Sequence, residues 1–246
     1  MYTEFAFVYD RLTDDINYKT WASYIEEVFE RNNFKPEIVL DLGCGTGSLT
    51  VELARKGFDM IGLDISEEML GVATEKAIDA QQNILFLNQD MCEMELFGTV
   101  GAIVSTLDSI NYLSSIKCLK KVFGLVHNYL DPGGLFVFDV HSKYKMDTVF
   151  GDNCFHVVND ELAYIWSCHF DGRRKICEHD ITCFVKQGET FERFDEFHEE
   201  RLFTKEEIES SLAEAGLKLV NVFDGATFRK PSPKSERWLY VCRKQK

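Results

Sequence analysis

The chain reads as an α/β protein: a mostly parallel sheet covered by helices on both faces, with a small antiparallel β insertion. Three observations predict this. Short apolar runs alternate with helical stretches over the first 140 residues, the pattern of a parallel sheet buried on both sides. The alternation gives way after His141 to longer strand-like stretches punctuated by Asp171-Gly172 and Gln187-Gly188, which are turn signals between antiparallel strands. The α/β pattern then returns at Lys205 and runs to the end.

The first helix with clear periodicity spans 18–31, where Trp21, Ile25, Val28 and Phe29 share one face. Pro36 ends the connection, and the apolar run 38–42 is the first strand. A glycine-rich turn leads into a helix at 49–56, stopped by Gly57. Residues 60–63 form the second strand. Ser66 suits the next N-cap, with Glu67 and Glu68 placed where the helix dipole favours acids. Strands are predicted at 84–87 and 102–105, then a helix at 116–130 closed by Pro132-Gly133-Gly134, and a fifth strand at 135–140. Two or three antiparallel strands are expected within 154–203. A helix at 205–215, closed by Gly216, and strands at 217–223 and 238–243 complete the chain. The predicted core is therefore 1–140 with 204–246, and 141–203 is an inserted cap.

Composition narrows the function. The 246 residues are 45% apolar and 28% charged, ordinary globular values. No apolar run approaches the roughly 18–20 residues that span a bilayer, and the first thirty residues carry acids that no secretory signal tolerates. A soluble, cytoplasmic protein without a membrane partner is expected. The net charge of −14 disfavours nucleic acid as a partner, and Arg173-Arg174-Lys175 reads as a solvated turn. The eight cysteines include no C-x-x-C pair, so reduced thiols and no metal site are expected. The oligomeric state is left open.

The chemistry is concentrated in Asp41-Leu42-Gly43-Cys44-Gly45-Thr46-Gly47. A strand runs into a turn whose glycines permit positive φ and close backbone approach, and a helix N-terminus follows. Asp64, at the end of the second strand, is placed to bind ribose hydroxyls. Together these point to a nucleoside ligand. The spacing is G-x-G-x-G, not the G-x-G-x-x-G of dinucleotide folds.

Here the chain resembles the class I S-adenosylmethionine (SAM)-dependent methyltransferases, whose first motif is D-x-G-x-G-x-G. Gly62-Leu63-Asp64-Ile65-Ser66 with Met69-Leu70 resembles the second motif, Gln89-Asp90-Met91 the third, and 130–140 the strand entry containing Pro-Gly-Gly. The resemblance covers 38–140 and, more weakly, the last 40 residues. It implies a Rossmann-like, seven-stranded sheet and SAM as cofactor. It also implies cofactor contacts at Asp41, Gly43, Cys44, Gly45, Asp64, Ile65, Met69, Asp90, Met91 and Leu107. Residues 1–35 resemble the lid helices of small-molecule members, with Tyr9 in Phe7-Val8-Tyr9-Asp10 able to reach the cofactor carboxylate.

SAM chemistry asks the protein mainly to hold donor and acceptor in line. The acceptor loop is Ser105-Thr106-Leu107-Asp108-Ser109-Ile110-Asn111-Tyr112, without the N-P-P-Y of amino-methylating enzymes that act on DNA bases or glutamine. Asp108 and Tyr112 are candidate catalytic residues, Asn111 could orient an acceptor, and His141 is a candidate base. A small-molecule acceptor with an N or O nucleophile is expected. The acids Glu189, Glu192, Asp195, Glu196, Glu199 and Glu200 are expected to face water; any that turned inward would favour an amine. Arg201 could instead hold a carboxylate. The alternatives are a SAM-binding regulatory protein without catalysis and an NAD-dependent oxidoreductase.

Overall fold

The computed structural model describes residues 3–13 and 16–245, excluding the side chains of Thr3, Glu4, Phe5, Phe7 and Val8. Met1, Tyr2, Asp14 and Asp15 of the predicted lid stretch, and the Phe7 and Val8 side chains, lie outside the described residues.

Strands β1 (Ile38–Leu42), β2 (Asp59–Asp64), β3 (Leu85–Asn88), β4 (Val100–Ser105) and β5 (Leu130–His141) pair in parallel in the order 3-2-1-4-5. The sheet ends antiparallel, with β11 (Arg237–Lys244) on β5 and β10 (Leu217–Asp224) on β11, giving seven strands. Strand order reverses between β1 and β4, and the crevice above their carboxyl ends is where open α/β sheets bind ligands.

The central strands carry apolar side chains on both faces because helices cover both. Val39, Ala102, Val104, Leu135, Val137 and Val241 pack under helices α2 (Tyr18–Arg31) and α3 (Ser48–Arg55). Their neighbours Leu40, Leu42, Ile103, Phe136, Phe138 and Tyr240 pack under α5 (Ile116–Tyr129) and α6 (Lys205–Glu214). Phe123 of α5 anchors the second layer, its ring 5.7 Å from Phe136 and 5.2 Å from Phe138. Ser66 caps α4 (Glu67–Asp79) as expected, its Oγ accepting from Met69 N. The remaining helix, α1 (Thr3–Leu12), lies against α4 with Ala6 on Met69.

Two expectations need correcting. The fifth strand begins at Leu130, not 135. Its ladder with β4 jumps from Val100–Leu130 to Ala102–Leu135, so Asp131-Pro132-Gly133-Gly134 is a bulge within the strand. Proline has no N–H for a ladder, and a bulge accommodates it.

The insertion has four strands, not two or three: β6 (Cys154–Val158), β7 (Leu162–Asp171), β8 (Ile176–Gln187) and β9 (Thr190–Arg201), paired 6-7-8-9. β6 is a short, mostly exposed edge strand, so it lacks the apolar alternation that reveals a half-buried one. Gly188, with φ +64°, makes the two-residue β8–β9 turn. The β9 backbone is tied to the main sheet through Asn111. Its buried amide donates to Arg201 O at 2.8 Å and accepts from His141 N at 2.9 Å.

Candidate active site

The glycine loop leaves β1 with Gly43 N and Cys44 N both donating to Leu63 O, at 2.8 and 3.0 Å. Gly43, Gly45 and Gly47 all have positive φ. A Cβ on Gly43 would fall 2.7 Å from Ser109 Cβ, and one on Gly47 2.7 Å from Ala73 Cβ, whereas one on Gly45 would meet nothing within 4 Å. The loop is thus clamped on both sides and open at Gly45, the cradle that a ligand approaching the backbone needs.

Asp64 ties this loop to the next. Its carboxylate accepts from Gly45 N at 2.8 Å and from Ser66 N at 3.0 Å, and burial raises its carboxyl above the ordinary range. Asp41 is enclosed beneath the loop, with Thr50 Oγ1 donating to it at 2.6 Å. Burial pushes its carboxyl up to about 7, against the opposing pull of the Thr50 bond. Cys44 is buried and its thiol is raised by burial, so it is a small loop residue and not a thiolate. Ile65 projects 69% exposed beside the strand end. Asp90 is exposed and accepts from Cys92 N at 2.7 Å, and Met91 beside it is half-buried. Met69 is covered by α1.

Helix α1 closes over this crevice. Asp10 accepts from Thr46 Oγ1 at 2.8 Å and from Ser48 Oγ at 3.3 Å, and forms an ion pair with Lys76. Tyr9, one residue before, faces the other way into a cavity of about 530 Å³ between the main sheet and the insertion. Leu107, Asp108, Tyr112 and His141 line the same cavity, so five of the residues singled out in the sequence converge there. Leu107 and Asp108 both adopt left-handed backbone, φ +57° and +65°, a conformation costly without glycine. The buried Asp139 carboxylate holds it, accepting from Leu107 N at 2.7 Å and more loosely from Asp108 N at 3.4 Å.

The sequence reading missed much of the cavity's polar wall. Arg237 donates to Asp139, to Asp108 at 2.6 Å and to His141 Nε2 at 3.0 Å. His141 Nδ1 lies 2.7 Å from Glu200 Oε2. Glu200 was expected to face water, but it is only 5% exposed and points inward; Glu189, Glu192, Asp195 and Glu199 do face outward, and Glu196 is half-buried. Arg201, next along β9, therefore points to the opposite face, where it lines a second hollow with Arg174 and Glu199. Alternation along FERFDEFHEER could not show this, because both faces are polar and the period alone does not say which is inner. Asp139 was discoverable as the lone acid in the apolar run 135–140, whereas Arg237 at a strand start carried no signal.

Burial pushes the Asp108 carboxyl up, but the electrostatic pull of the neighbouring His141 ring and Arg237 guanidinium outweighs it and holds the group below the ordinary range. Burial lowers His179 and His198. Asp108, His141 and Glu200 place ligand atoms within 4.8 Å of one another, close enough for a cation. The Arg237 guanidinium beside His141 Nε2 already fills the cationic role there.

A seven-stranded sheet in this order, with a D-x-G-x-G-x-G loop at the β1/β4 switch point, defines a class I SAM-binding fold. Residues 39–134 match the family model of a methyltransferase domain. The chain is 39% identical over its whole length to the methyltransferase-family protein YqeM of Bacillus subtilis (strain 168), covering 98% of that protein. The crystal structure of a SAM-dependent methyltransferase from Clostridium acetobutylicum ATCC 824 has a TM-score of 0.92 and 35% identity, with 100% of this chain and 99% of that chain covered. At 26% identity, over 87% of this chain and 89% of the relative, it is similar to a Streptomyces venezuelae dTDP-3-amino-3,4,6-trideoxy-alpha-D-glucopyranose N,N-dimethyltransferase. The chain belongs to the class I SAM-dependent methyltransferases.

Proposed function

We propose that this methyltransferase acts on a small-molecule acceptor held in the 530 Å³ cavity, at a nitrogen or oxygen nucleophile, with an amine the best fit. The observation that carries the amine reading is the inward turn of Glu200. Asp108 and Asp139 pair with the Arg237 guanidinium, while Glu200, also buried, pairs among the described residues only with the imidazoles of His141 and His179, and the Lys145 ammonium in the wall is taken by Glu236. An acceptor that enters as an ammonium relieves that imbalance, and Trp21, Tyr164 and Trp166 in the cavity wall offer π-faces to a cation. The Streptomyces relative named for an amino-sugar substrate supports the same choice.

SAM supplies an electrophilic methyl group on a sulfonium. In this reading Gly43, Cys44 and Gly45 hold its amino-acid part, Asp64 its ribose, and Ile65, Met69, Asp90 and Met91 its adenine side. Asp41 supports the loop from below. Tyr9 and Leu107 separate the cofactor crevice from the acceptor cavity. Asp108 anchors the acceptor, Tyr112 borders its entrance, and His141 receives its proton. No helix among the described residues is long and apolar enough to cross a membrane. All eight cysteines are unpaired, which supports a reducing, cytoplasmic setting.

Formation of the demethylated cofactor in the presence of panels of small amines, phenols and hydroxy acids tests the reading. Turnover with amines is expected. Turnover with phenols or hydroxy acids while no amine reacts would overturn the amine assignment.

A further inference from the structure

The insertion places more than a roof over the cavity. Trp166 Nε1 lies 3.1 Å from His179 Nδ1, and His179 Nε2 lies 3.6 Å from Glu200 Oε1. Cys168 Sγ also approaches His179 Nδ1, at 3.4 Å. An indole N–H only donates, so His179 Nδ1 must carry its lone pair and the proton of the neutral ring sits on Nε2. That N–H is buried with no hydrogen-bond partner among the described residues, and it is aimed at Glu200.

His141 takes the opposite tautomer. Its Nδ1 faces the Glu200 carboxylate, which accepts, so Nδ1 carries the proton. Its Nε2 faces an Arg237 N–H, which only donates, so Nε2 carries the lone pair. Phe150 packs edge-on against both imidazoles, at 5.3 and 5.0 Å, and fixes their planes. Every hydrogen in the chain Trp166–His179–Glu200–His141–Arg237 then has one direction.

We propose that Glu200 and His179 of the inserted sheet are positioning residues, which fix His141 as the Nδ1–H tautomer and leave its Nε2 to take the acceptor's proton. This rests on the reading of the cavity as the acceptor site. As the acceptor's N–CH3 or O–CH3 bond forms and the S–CH3 bond breaks, the bonding pair stays on sulfur. An acceptor that enters as an ammonium first gives one proton to His141 Nε2, which frees the nitrogen lone pair for attack, whereas a hydroxyl gives its proton as the bond forms; in either case Nε2 gives up its bond from Arg237, which keeps Asp139 and Asp108. The imidazolium so formed lies between Glu200 Oε2 at 2.7 Å and Asp108 Oδ1 at 3.5 Å. The proton released by the acceptor thus carries its positive charge to a place where two carboxylates await it. The charged and titratable groups that share the cavity with His141 or lie beneath it include Tyr9, Asp108, Tyr112, Asp139, Tyr164, His179, His198, Glu200, Arg237 and, from the 145–150 helix, Lys145.

The test begins with histidine-¹⁵N NMR of the full chain without acceptor, assigned by His141→Gln and His179→Gln. Opposite tautomers are expected, Nδ1–H for His141 and Nε2–H for His179. Reversed or exchanging tautomers overturn the couple whatever the assays show. In Glu200→Gln, kcat should fall at least about tenfold, within the share of general-base catalysis, while SAM affinity stays within about twofold. The acid limb of its pH–rate profile should move to lower pH, because the removed anion no longer favours the protonated ring. Trp166→Phe should cost kcat less and partly release the His179 tautomer. The assigned tautomers with an unchanged kcat and pH profile in Glu200→Gln overturn the couple's part in transfer. If phenols react and amines do not, with tautomers and variant effects as stated, the amine reading fails and the couple stands.

Discussion

Asp41→Asn is expected to stabilise the ligand-free protein while weakening its hold on SAM. The carboxyl is 3% exposed and its only described side-chain partner is Thr50 Oγ1. Burial lifts it to about 7, from an ordinary 3.8. Between those values the folded state keeps a proton that the unfolded state has released. Folding stability therefore falls as pH rises from about 4 to about 7, and is flat above and below that window. At ~1.36 kcal/mol per pH unit, the interval from 3.8 to about 7 corresponds to about 4 kcal/mol. That is an upper limit, because the surroundings of a buried anion relax. Asparagine cannot ionise, and its amide oxygen can still accept from Thr50. Urea unfolding of both proteins at intervals from pH 4 to 8 measures the effect. The variant should gain on the wild type as pH rises to about 7 and keep its advantage beyond. A stability difference that does not change with pH would refute the argument that this carboxyl is held protonated by burial. The loss of SAM affinity, read by calorimetry at pH 8, would show what the costly acid provides.

Three further expectations follow from the same geometry. Arg237→Ala strands Asp108 and Asp139 and should cost about 3–5 kcal/mol of stability, read by chemical unfolding, whereas Arg237→Lys should lose less. Asp10→Asn removes the ion pair to Lys76 and weakens the bonds to Thr46 and Ser48. SAM should then dissociate several-fold faster in stopped-flow measurements, and added salt should narrow the gap between variant and wild type. Gly47→Ala meets both a φ of +71° and a contact of 2.7 Å with Ala73 Cβ. The left-handed conformation alone costs roughly 1–2 kcal/mol, so thermal unfolding should shift down by several degrees.

The sequence by itself determined the main sheet, its helices and the cofactor loop, because each rests on local and periodic signals. Ile38, Val39, Leu40 and Leu42 put apolar side chains on both faces of β1, the mark of a central strand, and a helix follows its glycine turn. Ser66 sits just before Glu67 and Glu68, and a cap is a matter of neighbours in the chain. Such features are decided within a few residues, and for them local preference and final fold agree.

Only the tertiary structure decided the acceptor side. Glu200 and Arg201 are adjacent and both polar; which one enters the cavity depended on the register of β9 against β8, where Cys177 pairs with Glu200. Arg237 meets Asp108 across 129 positions and His141 across 96, distances over which no periodicity carries information. The short edge strand β6 and the bulge at Asp131–Gly134 were likewise settled by pairing with partners elsewhere in the chain. A nucleoside cradle can be written into one loop and the strand beside it. The charged cluster of the cavity is assembled from β5, β8, β9, β11 and the loop after β4, because its charges must be brought out of water together and each must arrive with its partner.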